Sequence, residues 1–158
     1  MNLLLWRHAE AEPGAPDLER QLTAHGEQQA RQMAQWLKAH APQHLRILVS
    51  PALRTQQTAH ALGQPYITEQ RLAPTASVED LLDAARWPTE RPAHQDSATL
   101  IVGHQPTLGQ AAAFLLSGHQ ADWPIKKGAV WWLAHRSRYG ETQTVVQAVI
   151  SCSLLRKR

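Results

Sequence analysis

The sequence predicts an α/β fold: a three-layer sandwich with a mainly parallel central sheet and helices on both faces. Three observations predict it. Short, continuous apolar runs alternate with longer amphipathic segments, the signature of βαβ units. Turn-forming Gly and Pro residues punctuate the change from one to the other. Two late apolar runs joined by a polar turn add an antiparallel hairpin to an otherwise parallel order.

The elements follow in order. Asn2 to Trp6 is an apolar run ending in Arg7-His8 and reads as a buried first strand. A loop through Pro13, Gly14 and Pro16 leads to Thr23, an N-cap; Ala30, Met33, Ala34 and Leu37 then mark one helical face, and Pro42 ends it. Leu45 to Val49 is the second strand, stopped by Ser50-Pro51, and a helix from Leu53 to Leu62 closes at Gly63 and Pro65. Tyr66 to Thr68 is a short third strand. Ser77 caps a helix through Leu81, Leu82 and Ala85, and Trp87 to Asp96 is a loop. Thr99 to Val102 is the fourth strand, and Leu108, Ala111, Ala112, Leu115 and Leu116 repeat at helical spacing up to Gly118. Ala129 to Ala134 and Thr144 to Ile150 form the hairpin around Gly140.

At 158 residues the chain fits one domain, 1–158, and 43% hydrophobic residues supply its core. The net charge of +3 is a mild basic excess without the clustering of a nucleic-acid binder; it favours an anionic ligand or an acidic partner surface. The tail Arg156, Lys157, Arg158 reads as a solvated end. The lone Cys152 excludes a disulfide within the chain, which points to the cytoplasm. Met1 to Trp6 is too short for a signal core or a membrane span, so neither membrane nor nucleic acid is an expected partner, and a monomer is expected.

In open α/β sheets ligands bind at the carboxyl ends of strands. The first strand delivers Arg7 and His8 there, the second Ser50 and then Arg54, the fourth Gly103 and His104. Two imidazoles and two guanidinium forks suit a tetrahedral anion. Arg matches the equatorial oxygens of a phosphoryl group, a neutral imidazole is a nucleophile near pH 7, and a protonated one adds positive charge. Phosphoryl transfer rests on positioning and electrostatics, so these four groups suffice without metal or cofactor. The helix after His104 is expected to offer free N–H groups to the same anion.

The segments around these residues resemble the histidine phosphatase superfamily, the phosphoglycerate mutase-like fold. Leu4-Leu5-Trp6-Arg7-His8-Ala9-Glu10 is similar to its Arg-His-Gly signature, and Leu22-Thr23-Ala24-His25-Gly26 to its first helix start. Val49-Ser50-Pro51-Ala52-Leu53-Arg54-Thr55-Gln56-Gln57-Thr58-Ala59 resembles its Ser-Pro-x-x-Arg-x-x-x-Thr-Ala segment, and Val102-Gly103-His104-Gln105-Pro106 its second-histidine motif. The four blocks stand in the family's order. The resemblance implies that His8 is the nucleophile, that Arg7 and Arg54 clamp phosphate, and that His104 neutralises the transferring group. Ser50 and Gln105 are added as substrate-binding candidates. The short chain looks most like the SixA-type branch, whose members are phosphohistidine phosphatases acting on signalling proteins. The expected partner is therefore a phosphorylated protein of the histidine-phosphotransfer type, or a small phosphoester.

Two departures stand out. Ala9 occupies the position of the signature glycine. The stretch Leu72 to Asp80 carries no acid clearly in the place where many members keep a proton donor; Glu79, Asp80 and Asp17 are the available carboxylates. Phosphohistidine needs such a donor less than an alkoxide does, because imidazole leaves readily.

Blander readings stand beside these. Alone, His8 is a satisfied strand-end histidine and Arg54 a solvated helix residue. The other histidines, at 25, 40, 44, 60, 94, 119 and 135, read as surface residues rather than metal ligands; Pro42 breaks the helix that would align His40 with His44. Trp131-Trp132 place one ring on each face of a strand, and Trp87 and Trp123 are candidates for the mouth of the site. The rival functions are a small-molecule phosphomonoesterase, a mutase, and a non-catalytic phosphoprotein-binding module on the same fold.

Overall fold

The computed structural model describes residues 1–88 and 97–156. Most of the loop expected after Trp87, with His94, and the last two residues of the basic tail lie outside the described residues. A six-stranded sheet forms the middle layer. Its strands are β1 (Asn2–Arg7), β2 (His44–Val49), β3 (Ile67–Thr68), β4 (Ser97–Gly103), β5 (Val130–Arg138) and β6 (Glu141–Ile150), in the order β3-β2-β4-β1-β5-β6. β1, β2, β3 and β4 run parallel, and β5 and β6 antiparallel, as the late hairpin requires. The four helices are α1 (Ala24–His40), α2 (Leu53–His60), α3 (Val78–Ala85) and α4 (Thr107–Ser117).

The two faces of the sheet bury different halves of each strand. Leu3 and Leu5 of β1, with Leu48, Ile101 and Leu133, pack under α3 and α4. Leu4 and Trp6, with Ile47, Val49, Leu100 and Val102, pack under α1 and α2. Burial on both faces explains why these strands read as continuous apolar runs. Each fully buried leucine contributes about 1.5–3 kcal/mol of transfer free energy. Trp131 and Trp132 follow the same alternation, and both faces are covered. Trp131 lies against Trp123, ring centroids 6.1 Å apart, and Trp132 meets the edge of Trp36 at 6.4 Å.

The helix ends are chemically marked. The Thr23 side chain accepts the Gly26 N–H at 2.9 Å. Ser77 and Asp80 form a reciprocal capping box at the start of α3. Gly118 ends α4 with φ +83, a conformation that costs residues with a Cβ. Among the described residues no helix is long and apolar enough to cross a membrane.

Candidate active site

Strand register decides which side chains meet. Arg7 pairs with Gly103 across β1 and β4, and Val49 pairs with Val102 across β2 and β4. His8, Ser50 and His104 are each the next residue along, so all three emerge at one edge of the sheet. Two further backbone bonds extend the ladder to them, His8 N–H to the Gly103 carbonyl and Ser50 N–H to the Val102 carbonyl, both 3.1 Å. The rings of His8 and His104 lie 5.3 Å apart, tilted by 55°. Arg54 enters from the first turn of α2 and is buried to 4% exposure.

His8 is prepared as a neutral ring. Its Nδ1 lies 2.7 Å from the Ala9 carbonyl, which can only accept, so Nδ1 carries the proton and Nε2 keeps its lone pair. Burial, reinforced by the charges of Arg54, Arg7 and Arg20, pushes its pKa down to about 4 against the pull of that carbonyl. His104 is pushed down to about 3, by burial first and by Arg54 next. Burial and the neighbouring Arg54 thus favour the neutral ring for His104.

The tautomer of His104 follows from Ser50. The Ser50 hydroxyl lies 2.7 Å from His104 Nε2 and accepts the Ala52 N–H at 3.3 Å. Donation from the hydroxyl to Nε2 satisfies both groups and leaves the His104 proton on Nδ1. Ser50, expected to bind substrate, is thus a fully buried residue that positions His104. Gln105 is similarly engaged: its amide bonds the Trp123 carbonyl at 2.8 Å and the Gly109 N–H at 2.7 Å. At the start of α4 the Leu108 N–H is taken by the His104 carbonyl and Gly109 by Gln105.

Nitrogens on three members of the quartet, Arg7 Nε, Arg54 Nε and His104 Nδ1, are buried without a hydrogen-bond partner among the described residues. An unpaired buried donor costs about 1–3 kcal/mol. Arg54 and Arg7 lie near enough to His8 to act on its charge, and a tetrahedral oxyanion would satisfy donors of this kind. The arginines are held by their other nitrogens. Arg7 Nη1 donates to the Ile125 carbonyl at 2.7 Å, and Arg54 donates to the Asp17 carbonyl at 2.8 Å and carboxylate at 3.1 Å.

Asp17 also binds Arg20 at 3.1 Å, and these arginine bonds hold its carboxyl below the usual range. An ionised, arginine-bound carboxylate positions Arg54 and is poorly suited to donate a proton. Asp80 is likewise kept ionised by its bonds to Ser77. Glu79 is exposed at the start of α3.

Reading the sequence missed two supports. Thr58 accepts the Ala9 N–H at 3.1 Å and donates to the Arg54 carbonyl at 2.7 Å, tying the turn after β1 to α2. Its place at the end of the Ser-Pro-x-x-Arg block was the available signal. Gly128 donates its N–H to the carbonyls of Arg7 and His8, both 3.1 Å, and only its φ of +74 marks it. Ala9 is fully buried against Leu22 and Ala30, so the Cβ in place of the signature glycine has a pocket. Trp87 packs in the core and against His135, ring centroids 5.6 Å apart, rather than at the mouth. A cavity of about 560 Å³ lined by Leu22, Ala30, Gln57, Ala61 and Tyr66 contains no member of the quartet. The donors, not the volume, locate the site.

Residues 3–76 match the histidine phosphatase superfamily (branch 1). The phosphohistidine phosphatase SixA homolog of Haemophilus influenzae is 33% identical over 129 residues, covering 73% of this chain and 77% of that protein. The chain belongs to the histidine phosphatase superfamily. Phosphohistidine phosphatase SixA of Escherichia coli is 31% identical over 125 residues, 75% of this chain and 76% of that one. The structure of protein histidine phosphatase SixA complexed with tungstate superposes with a TM-score of 0.81 at 25% identity, over 99% of this chain and 100% of that one. This histidine phosphatase has the phosphoglycerate mutase-like α/β fold, with SixA among its structural neighbours.

Proposed function

We propose that this histidine phosphatase hydrolyses phosphohistidine on a signalling protein through a covalent phospho-His8 intermediate. The observation that carries the reading is the His8 ring: neutral, with Nδ1 anchored on a carbonyl and Nε2 free, beside three unpartnered buried nitrogens. In the first step Nε2 attacks phosphorus in line. The new N–P bond forms as the N–P bond of the substrate breaks, and the leaving imidazole nitrogen takes the electron pair. In the second step a water oxygen attacks phosphorus, the bond to His8 breaks, inorganic phosphate departs and His8 regains its lone pair. Arg7, Arg54 and His104 Nδ1–H hold the three equatorial oxygens throughout.

The substrate class follows from the leaving group. Among the described residues, Asp17 is the carboxylate bonded to a member of the quartet, and it is ionised. A site so built favours a leaving group that departs without general acid, as imidazole does better than an alkoxide. The SixA relatives carry a name that agrees with this substrate. The reaction needs no metal.

The test is a comparison of a phosphohistidine protein with serine and sugar phosphates, for wild type and His8→Ala. Acid-labile phosphate trapped on the wild type, a preference for phosphohistidine and loss of at least about 10³ in turnover for His8→Ala are expected. Faster hydrolysis of the phosphoesters overturns the substrate, and saturable binding without turnover makes the chain a binding module.

A further inference from the structure

The antiparallel end of the sheet carries a second feature at the same edge as the quartet. β5 begins and β6 ends there, beside β1. A cleft of about 250 Å³ opens at this point, lined by Lys126, Lys127, His25 and Arg156 around Gln29 and Cys152, with no Asp or Glu lining it among the described residues. Lys126, Lys127, His25 and Arg156 are all exposed.

The cleft is joined to the reacting groups through the backbone. Ile125, just before the lysines, accepts Arg7 Nη1. Gly128, just after them, donates to the carbonyls of Arg7 and His8 and accepts the Trp6 indole N–H at 3.1 Å. The two lysines are therefore held on a short segment fixed at both ends to the catalytic strand, within a few residues of the phosphate clamp. The chain's basic excess is modest, so this concentration of cations is local.

We infer that this cleft docks an acidic surface next to the phosphorylated histidine of the protein substrate. The inference rests on the proposed function and adds how the partner is recognised. In the proposed reaction the quartet holds the phosphoryl group, so a small phosphorylated compound has no use for the cleft. A protein carrying phosphohistidine spans both, and carboxylates flanking its histidine meet Lys126, Lys127 and Arg156. Charges at an interface rim act chiefly on association, and the effect falls with ionic strength.

The experiment uses a histidine-phosphotransfer domain with glutamates beside its phosphohistidine, and phosphoimidazole as the small substrate. The full-length chain carrying Lys126→Glu and Lys127→Glu is compared with wild type. The expected result is a KM for the phosphodomain raised about tenfold with kcat kept, and phosphoimidazole hydrolysis unchanged. Replacing the domain's glutamates by lysine restores KM for the doubly substituted chain and raises it for wild type. An unchanged KM for the phosphodomain, or an equal loss on phosphoimidazole, overturns the docking inference while the phosphatase reading stands. Displacement of the phosphodomain by stoichiometric duplex DNA also overturns it, assigning the cleft to nucleic acid. A wild type inactive on the phosphodomain but active on phosphoesters overturns the proposed function itself, a result that no outcome for the variant imitates.

Discussion

The parallel and antiparallel halves of the sheet reach the same edge with opposite solutions. Where β1, β2 and β4 end, cationic and polar groups are buried, and Arg7, Arg54 and His104 each keep one nitrogen without a partner among the described residues. Where β5 begins and β6 ends, cations stand exposed around an open cleft and their backbone is what is fixed. Burial lowers the pKa of the two rings and keeps them neutral; exposure lets charge act at a distance. The difference teaches that chemistry requires dehydrated groups with set protonation, whereas recognition of a charged partner requires only that the charges be presented in register with the site.

Arg54 breaks the buried half most directly. Arg54→Ala removes a clamp on the phosphoryl oxygens, the partner of Asp17 and a charge that depresses both imidazoles. A fall in kcat/KM of about 10³ is expected, the scale for losing a preorganised donor to a transition-state anion. Asp17→Ala, which leaves the guanidinium in place but unanchored, should cost about tenfold. Steady-state kinetics on the phosphodomain checks the pair, and a larger loss for Asp17→Ala than for Arg54→Ala would show that Asp17 does more than position Arg54.

Gly128 sharpens the comparison from the seam between the halves. A Cβ there meets Cys152 Sγ at 2.8 Å, and the φ of +74 strains any other residue. Gly128→Ala is expected to destabilise the fold by about 2 kcal/mol, read as a shift in the urea midpoint. Adding Cys152→Ala removes the contact but not the backbone strain, so the double variant separates the two contributions. Strict additivity of the two substitutions would mean that the contact carries no energy.

Much of this fold was legible because each strand of the parallel half is buried on both faces and so reads as one apolar run. Strand ends then located His8, Arg54 and His104, since the sheet edge gathers whatever follows the runs. What escaped was set by bonds between distant segments. Nothing local distinguishes Ser50 as a partner of His104 rather than of phosphate, or Gln105 as a brace for Trp123 and Gly109. The lowered pKa of His104 has a related origin: it follows from burial beside Arg54, which only the folded chain creates. The basic cleft drew no notice because His25, the Lys126-Lys127 pair and Arg156 are far apart in sequence.

The smallest effect tests the protonation itself. His8 and His104 stand at about 4 and about 3, below the ordinary 6.5. A lowered folded pKa means that the unfolded chain binds protons first as pH falls. Stability is therefore full above about pH 6.5 and declines as pH drops from there through about 4. At the acid limit the rings contribute on the order of 3 kcal/mol for His8 and 5 kcal/mol for His104, and only a small part of that between pH 7 and 6. Urea unfolding of wild type and His104→Gln across this range isolates one ring, and the variant should lose less stability on acidification than wild type. A parallel pair of curves would mean that His104 keeps its ordinary pKa on folding, and burial would then not set its protonation.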